Sequence, residues 1–416
     1  MFYSFTKAVF VLVLSVVLAH SIPADTRRKI FPYIVGLLML SYSFFNIFHI
    51  TVASYLLQGG LPILCSAFLI YFNPRDSVRW NSYEKSYLVF LIYFLGVALF
   101  DDYFIGIILT KFLGILFYFG VGWSTARYAV QNNQVERLMK VLTWFAIPFL
   151  LTLYKGNYFN QDLSMGERLG GDEYGMLNSN IVGLMATAAL MAPLIVVVLL
   201  KSSIVLNIVS CTALGMGCYI LIGSGSRNAF GAFAGACLVA IVLSSRKWKS
   251  IAIVITIGIG LVIYTSGLFT SSEDIRVLDL SVDSFRSSRF QMYEYIFYGT
   301  SSEQYLFGAR SYIDRDINTG RAWGNAHSMY VQIAYEAGLM GLLLFIFYLM
   351  RHVRRAWLHK YYGKIALVFL TASLLSGLSE SYPLRAFSIT SLLWGMSVGI
   401  LNVLPKREGI RPSGLT

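Results

Sequence analysis

Charged residues are scarce in this chain. Asp, Glu, Lys and Arg make up 13% of 416 residues, while 56% are hydrophobic. Soluble domains carry roughly 25% charged and about 45–50% apolar residues, so a set of soluble domains is excluded and a polytopic membrane bundle is expected. Cysteine is nearly absent. Cys65, Cys211, Cys218 and Cys237 all lie in apolar runs without a CxxC spacing, which argues against a disulfide framework or a thiolate metal centre and for small packing residues. The sequence has no Ser/His/Asp triad signature, no HExxH and no phosphate-binding P-loop, since the lysine and the spacing of that loop are missing. No repeat relates the two halves, and few charges fall at the centre of the apolar stretches; both features disfavour an alternating-access transporter or lipid flippase, the reading from a different class. No cofactor and no metal are expected. Asp314 and Asp316 alternate with arginines and read as paired with them.

What is present is a series of apolar stretches of spanning length. They fall near 4–21, 31–49, 52–72, 87–100, 104–123, 139–154, 180–200, 203–223, 228–245, 250–268, 332–350, 365–379 and 386–404, giving about twelve or thirteen membrane helices. The first could pass for a signal peptide and is read as an uncleaved span. The net charge of +12 does not call for nucleic acid. Lysine and arginine gather in short loops, at Arg246, Lys247 and Lys249, at Arg351, Arg354, Arg355, Lys360 and Lys364, and at Lys406, Arg407 and Arg411. The positive-inside rule assigns these loops to the cytoplasm. Alternation then places Asp101–Asp102, residues 155–179, the Gly223–Arg227 turn, the stretch 267–331 and the Glu380–Arg385 turn on the far side.

The one long polar stretch, 267–331, divides the chain into 1–266, the island itself, and 332–416. Its basic residues are all arginines, at 276, 286, 289, 310, 315 and 321, and it contains one histidine, His327. Guanidinium is the better bidentate fork for phosphate and carboxylate, and imidazole is the usual proton acceptor near neutral pH, so the island suggests a site for an anionic substrate. A helix is expected over 284–298, amphipathic and suited to the bilayer interface. Asn325 is the expected cap of a helix starting near Ala326.

Single residues leave alternatives open. His327 suits a general base beside cations and a helix start, against a satisfied structural histidine. Arg289, in SSRFQMYEYIF, is either a diphosphate ligand or the partner of Glu294. Arg227, in GSGSRNAFGA, sits among small residues whose backbone amides stand open to an anion at the start of the next span. Lys111 either lines the same cavity or snorkels to the surface. Glu380 and Arg385 pair with each other or support the site. Arg168, in a turn-rich segment, contacts substrate or serves as loop polarity. Arg286, Arg321 and Asn325 are further possible supports. The other histidines, His20, His49, His352 and His359, read as structural or interfacial.

Taken in order, these motifs resemble the O-antigen ligase family, which includes O-antigen and exopolysaccharide polymerases. SGSGSRNAFGA is similar to the family's Ser/Thr-x-Ser-Arg turn, SSRFQMYEYIF to its Arg-x-x-x-(Trp/Tyr) element, and NAHSMYVQIAYEAGLMGLL to the signature that leads from its histidine into the following span. TKFLGILFYFG resembles its lysine-bearing span, and GLSESYPLRAFS the segment before the last span. Ser328 follows His327 where the family usually has asparagine. The resemblance covers about 105–405. It implies an all-α bundle of about twelve transmembrane helices with a helical periplasmic loop domain, similar to GT-C glycosyltransferases. It implies a glycosyltransferase of the bacterial inner membrane with its active site facing the periplasm. The implied reaction is metal-independent, inverting transfer of glycan from undecaprenyl diphosphate to lipid A–core oligosaccharide, with a polymerase joining a second lipid-linked glycan as the alternative. His327 is then the base, and Arg227 and Arg289, with Lys111, are the diphosphate ligands.

Overall fold

A computed structural model describes residues 82–97, 119–158, 179–244, 301–308, 328–359, 361–378 and 389–403, with a few more between 26 and 36. The described residues form helices joined by short turns, with no strand among them. In chain order the helices are α1 (Ser82–Val97), α2 (Gly120–Gln131), α3 (Val135–Tyr158), α4 (Ser179–Val198), α5 (Ile204–Gly223), α6 (Arg227–Leu243), α7 (Ser302–Phe307), α8 (Met329–Leu358), α9 (Tyr362–Ser376) and α10 (Ile389–Val403). α3, α4, α5 and α8 are long and apolar enough to cross a membrane, and α1, α6, α9 and α10 contain shorter apolar stretches. The chain is a multi-pass membrane protein. The spans expected near 4–21, 52–72 and 250–268, most of that near 31–49, and the helix expected over 284–298 lie outside the described residues.

α4 is the central pillar. Its sequence is apolar on every side, and a helix of that kind is stable only when surrounded. α3, α5, α6, α9 and α10 all pack against it. α5 and α6, by contrast, turn Ile204, Val205, Ile208, Leu238 and Val242 away from this core, an apolar outer face that suits lipid. A second, aromatic cluster joins α1, α8 and α10: Tyr87, Phe90, Phe345, Tyr348 and Trp394 are buried with ring centroids 4.7–6.3 Å apart.

α2 and α10 run parallel and in backbone contact. Gly395 and Gly399, four residues apart on α10, meet the carbonyls of Phe119 and Trp123, and Gly122 of α2 meets the carbonyl of Leu392. Small residues at this spacing let membrane helices approach closely, because any larger side chain would hold the backbones apart. α2 also corrects the expected span 104–123, which was read as ending where α2 is still continuing. The helix runs on to Gln131 and carries a charge in its second half. Arg127 is buried there, its guanidinium 5.2 Å from the centre of the Trp123 ring. That cation–π contact partly compensates a burial that apolarity alone would have forbidden.

The basic cluster at 351–364 lies mostly on helices rather than in a loop. Arg351, Arg354 and Arg355 occupy the last two turns of α8, and Lys364 lies in the first turn of α9. Lys364 Nζ donates to the Leu243 carbonyl at 2.6 Å, closing the C-terminus of α6 with a cation where the helix dipole favours one. Beside it, burial raises the Tyr361 phenol well above the ordinary tyrosine range, with Glu136 adding to the effect.

His352 is structural, as its sequence setting suggested. Ser397 Oγ donates its only proton to the Ala366 carbonyl at 2.8 Å, so it accepts from His352 Nε2–H at 2.8 Å. The imidazole is thus held as the Nε2–H tautomer, and α8, α9 and α10 are joined at one point. Of the described cysteines, Cys218 and Cys237 are buried in the apolar core and Cys211 is half-buried beside it.

Two substitutions test this packing by thermal unfolding in detergent. Gly395→Leu overpacks the α2–α10 contact and is expected to cost about 1–3 kcal/mol; an unchanged midpoint contradicts the backbone contact. Ser397→Ala strands the buried His352 N–H, with an expected cost of about 1–3 kcal/mol; the double change His352→Phe with Ser397→Ala should recover part of that loss.

Candidate functional site

Arg227 is the one member of the expected site that the described residues contain, and the turn that carries it is tightly built. α5 stops at Gly223, Gly225 reverses the chain with φ +61°, and Ser226 takes an extended conformation as the N-cap of α6. A left-handed residue is needed between two antiparallel helices this close, and glycine adopts it without a Cβ penalty. Ser224 and Ser226 are both buried. Ser226 Oγ accepts from Ala229 N–H at 3.4 Å, the expected capping bond.

The turn rests on α4. A Cβ at Gly183 would come within 2.8–2.9 Å of Ala229 Cβ, Ser224 Oγ and Ser226 Cβ, so only glycine lets α4 reach so close. Thr187 Oγ1 donates to the Ala229 carbonyl at 3.0 Å. These contacts fix the first turn of α6, and with it the point from which the half-buried Arg227 side chain projects.

The same geometry corrects one expectation. The small residues of the turn do not leave an open row of amides for an anion. Ser224 N–H donates to the Ile220 carbonyl at 2.8 Å, Gly225 N–H to the Ile222 carbonyl at 3.0 Å, and Ser226 N–H to Ser224 Oγ at 3.3 Å. The turn spends these donors on its own shape. The positive charge at this turn is that of the Arg227 guanidinium and the α6 N-terminus, with no amide cradle beside them.

The helix that follows His327 arrives at the same end of the bundle. α8 begins at Met329, and its N-cap is Ser328, with φ −151° and ψ 127°. Ser328 Oγ accepts from Val331 N–H at 3.5 Å. An extended residue at 328 rules out a helix running on from Ala326, so the expected Asn325 cap is replaced by Ser328. His327 itself lies outside the described residues, directly before this cap in the chain.

The end of α9 holds both pieces. Asn228 Nδ2 donates to the Ser376 carbonyl at 2.8 Å, and Met329 N–H donates to the Gly377 carbonyl at 2.8 Å. Tyr330 Oη adds a bond to the Leu374 carbonyl at 3.2 Å. Two consecutive carbonyls at one helix C-terminus, both beyond the reach of intrahelical donors, thus bind the residue after Arg227 and the first residue of α8. The neighbours of Arg227 and of His327 are therefore brought together, although the two are 100 positions apart in the chain.

α8 is broken near this end. Gly338 has φ +64°, which separates a short first segment from the long remainder of the helix. Into the break fits α7, from the polar island. Ser301 and Gln304 form a capping box at its start, and Gly308, φ +108°, ends it. Gly308 lies against the Glu336 carbonyl, and Gly338 against Leu306 and Gly308, contacts that no Cβ could share. Tyr93 Oη of α1 donates to the Phe307 carbonyl at 3.1 Å. The first segment of α8 also buries Gln332 and Glu336, whose side chains hydrogen-bond to each other. Sequence reasoning assigned no role to Asn228, Gln332 or Glu336. The i, i+4 pair of polar residues inside an apolar span was the available signal for the last two. Nothing in the local sequence marks Asn228, whose partner is 148 positions away.

The remaining expected site residues, Arg289, Lys111, Arg168, Arg286, Arg321, Asn325, Glu380 and Arg385, lie outside the described residues. Glu380 and Arg385 fall in the 379–388 link that joins α9 to α10.

No curated protein matches the chain. A family model described as O-Antigen ligase matches residues 211–346. That region runs from the first half of α5, through the Arg227 turn and the polar island, past the break in α8. The motifs, the turn they build and this match agree: over residues 211–346 the chain is similar to the O-antigen ligase family.

Proposed function

We propose that this protein transfers a glycan from undecaprenyl diphosphate to lipid A–core oligosaccharide, with its site at the periplasmic face of the bacterial inner membrane. The family supports glycosyl transfer in general. The observation that carries the finer reading is the shared anchorage at Ser376 and Gly377, which brings the turn bearing Arg227 to the helix start that follows His327.

In this reading the acceptor hydroxyl loses its proton to neutral His327 as its oxygen attacks the anomeric carbon. The bond from that carbon to the diphosphate oxygen breaks on the opposite face, with inversion. Negative charge grows on the leaving diphosphate. Arg227 and Arg289, assisted by Lys111, stabilise it as fixed cations in a water-poor site, where such preorganised charge is worth far more than in water. Arg168, Arg286, Arg321, Asn325, Glu380 and Arg385 line or brace the cavity. The polar island, 267–331, forms the loop domain over the site, and the lipid chain lies among the spans of a bundle of about twelve helices of the GT-C kind.

The experiment uses purified protein in nanodiscs with the source strain's lipid-linked glycan and rough lipopolysaccharide as acceptor. His327→Ala is expected to lower turnover at least about 100-fold, in the range general-base removal costs, and Arg227→Ala by about 100-fold or more, the loss typical of one transition-state electrostatic donor. Near-normal turnover in either variant removes that residue from the mechanism. Excess chelator is expected to leave transfer intact; a loss that only a divalent ion restores would overturn the arginine clamp. A strain lacking the gene should carry capped core beside full-length unattached glycan, whereas single repeats attached to core would mark a polymerase.

A further inference from the structure

We infer that Asn228 is a positioning residue for the diphosphate end of this reaction, acting through the α9 C-terminus. The inference rests on the glycosyl-transfer reading above, and it assigns Asn228 no contact with substrate.

The argument begins with what the first turn of α6 needs. Ser226 caps the helix, and Thr187 and Gly183 seat it on α4. These bonds fix the depth of the turn. They do not fix its rotation toward α8, because none of them involves α8 or α9. Further along α6, Gly235 packs on Leu375 of α9 and the Leu243 carbonyl accepts from Lys364; in the first turn the directed bond to α9 is that of Asn228 Nδ2 to the Ser376 carbonyl. The next carbonyl along, Gly377, accepts from Met329 N–H. The spacing between the two anchored helix starts is therefore set by two adjoining peptide units that meet at Gly377, φ −71° and ψ −13°.

Gly377 completes the device. A Cβ there would stand 2.9 Å from Met329 Cε and 3.2 Å from Met329 Cβ, so a side chain at 377 would have to turn the Met329 side chain aside. Gly377 N–H is itself held by the Ser373 and Leu374 carbonyls, each at 3.1 Å, which keeps the α9 end in place as a reference. The chemistry of Asn228 follows from its partner. A carbonyl needs a donor, and at a helix C-terminus it carries extra partial negative charge. A carboxamide matches that carbonyl; a carboxylate of the same shape opposes it.

The prediction is that Asn228 matters only through Arg227. Undecaprenyl diphosphate is the probe, its affinity measured on the full-length protein in nanodiscs for wild type, Asn228→Ala, Asn228→Asp, Arg227→Ala and the double variant Asn228→Ala with Arg227→Ala. Thermal midpoints are recorded for each. Asn228→Ala is expected to weaken binding about 5- to 20-fold, and Asn228→Asp more than Asn228→Ala, in protein that remains folded. The double variant is expected to bind no more weakly than Arg227→Ala, since residues acting through one contact are not additive. Wild-type affinity in Asn228→Ala overturns the inference. So does a loss that adds in full to that of Arg227→Ala, or an Asn228→Ala protein too unstable to isolate, since either outcome makes the bond a matter of stability alone. Arg227→Ala with wild-type affinity is a different failure. It removes the diphosphate reading itself and takes this inference with it.

Discussion

The arrangement at this end of the bundle depends on two backbone oxygens. A helix leaves its last four carbonyls without intrahelical donors, and a membrane protein has little water to satisfy them where they are buried. α9 resolves this by offering the Ser376 and Gly377 carbonyls to two other helices. Each bond contributes about 0.5–1.5 kcal/mol net, but leaving the carbonyl bare costs about 1–3 kcal/mol, so the contact is retained chiefly because the alternative is poor. The same atoms satisfy a helix end and hold the Arg227 turn beside the start of α8.

The rest of the bundle is arranged to keep those atoms still. α4, surrounded on every side, seats the Arg227 turn through Gly183 and Thr187. The glycine contact between α2 and α10, and the His352–Ser397–Ala366 chain, hold α9 and α10 from the opposite half. The break at Gly338 frees the first segment of α8 from the direction of the span, so that it follows the α9 end instead. α7 then packs into the break and ties part of the polar island to α8 and α1. Rigid spans thus hold the Arg227 turn and the start of α8, the kind of scaffold on which functional segments are positioned.

The helices were legible in sequence where apolarity and length agree, as in α4 and α5, whose bounds fall within a few residues of expectation. The reading failed where a polar group is tolerated for a tertiary reason. Arg127 falls beyond the expected span 104–123, yet it is buried in α2, where Trp123 receives its guanidinium. Residues 351–358 were read as loop because of their arginines, yet cations suit the C-terminal turns of α8. The cap of α8 was placed at Asn325, a residue type that caps well, when Ser328, equally suited, takes the extended conformation. In the site, Arg227 was visible from its setting of small residues and from a family motif. The role of those small residues was not: they let the turn bond to itself and approach α4, which only the packing reveals. Asn228 was invisible because a hydrogen bond across 148 positions leaves no local pattern.

The claim that the guanidinium at 227 and the imidazole at 327 face one diphosphate can be tested most directly by an experimental structure of the full-length protein in nanodiscs with undecaprenyl diphosphate bound. The account predicts the diphosphate at the α6 N-terminus, in hydrogen-bond contact with Arg227, with the His327 ring opening onto the same cavity and the Asn228–Ser376 bond intact. A diphosphate bound elsewhere, or a His327 ring directed away from the Arg227 turn, would contradict it.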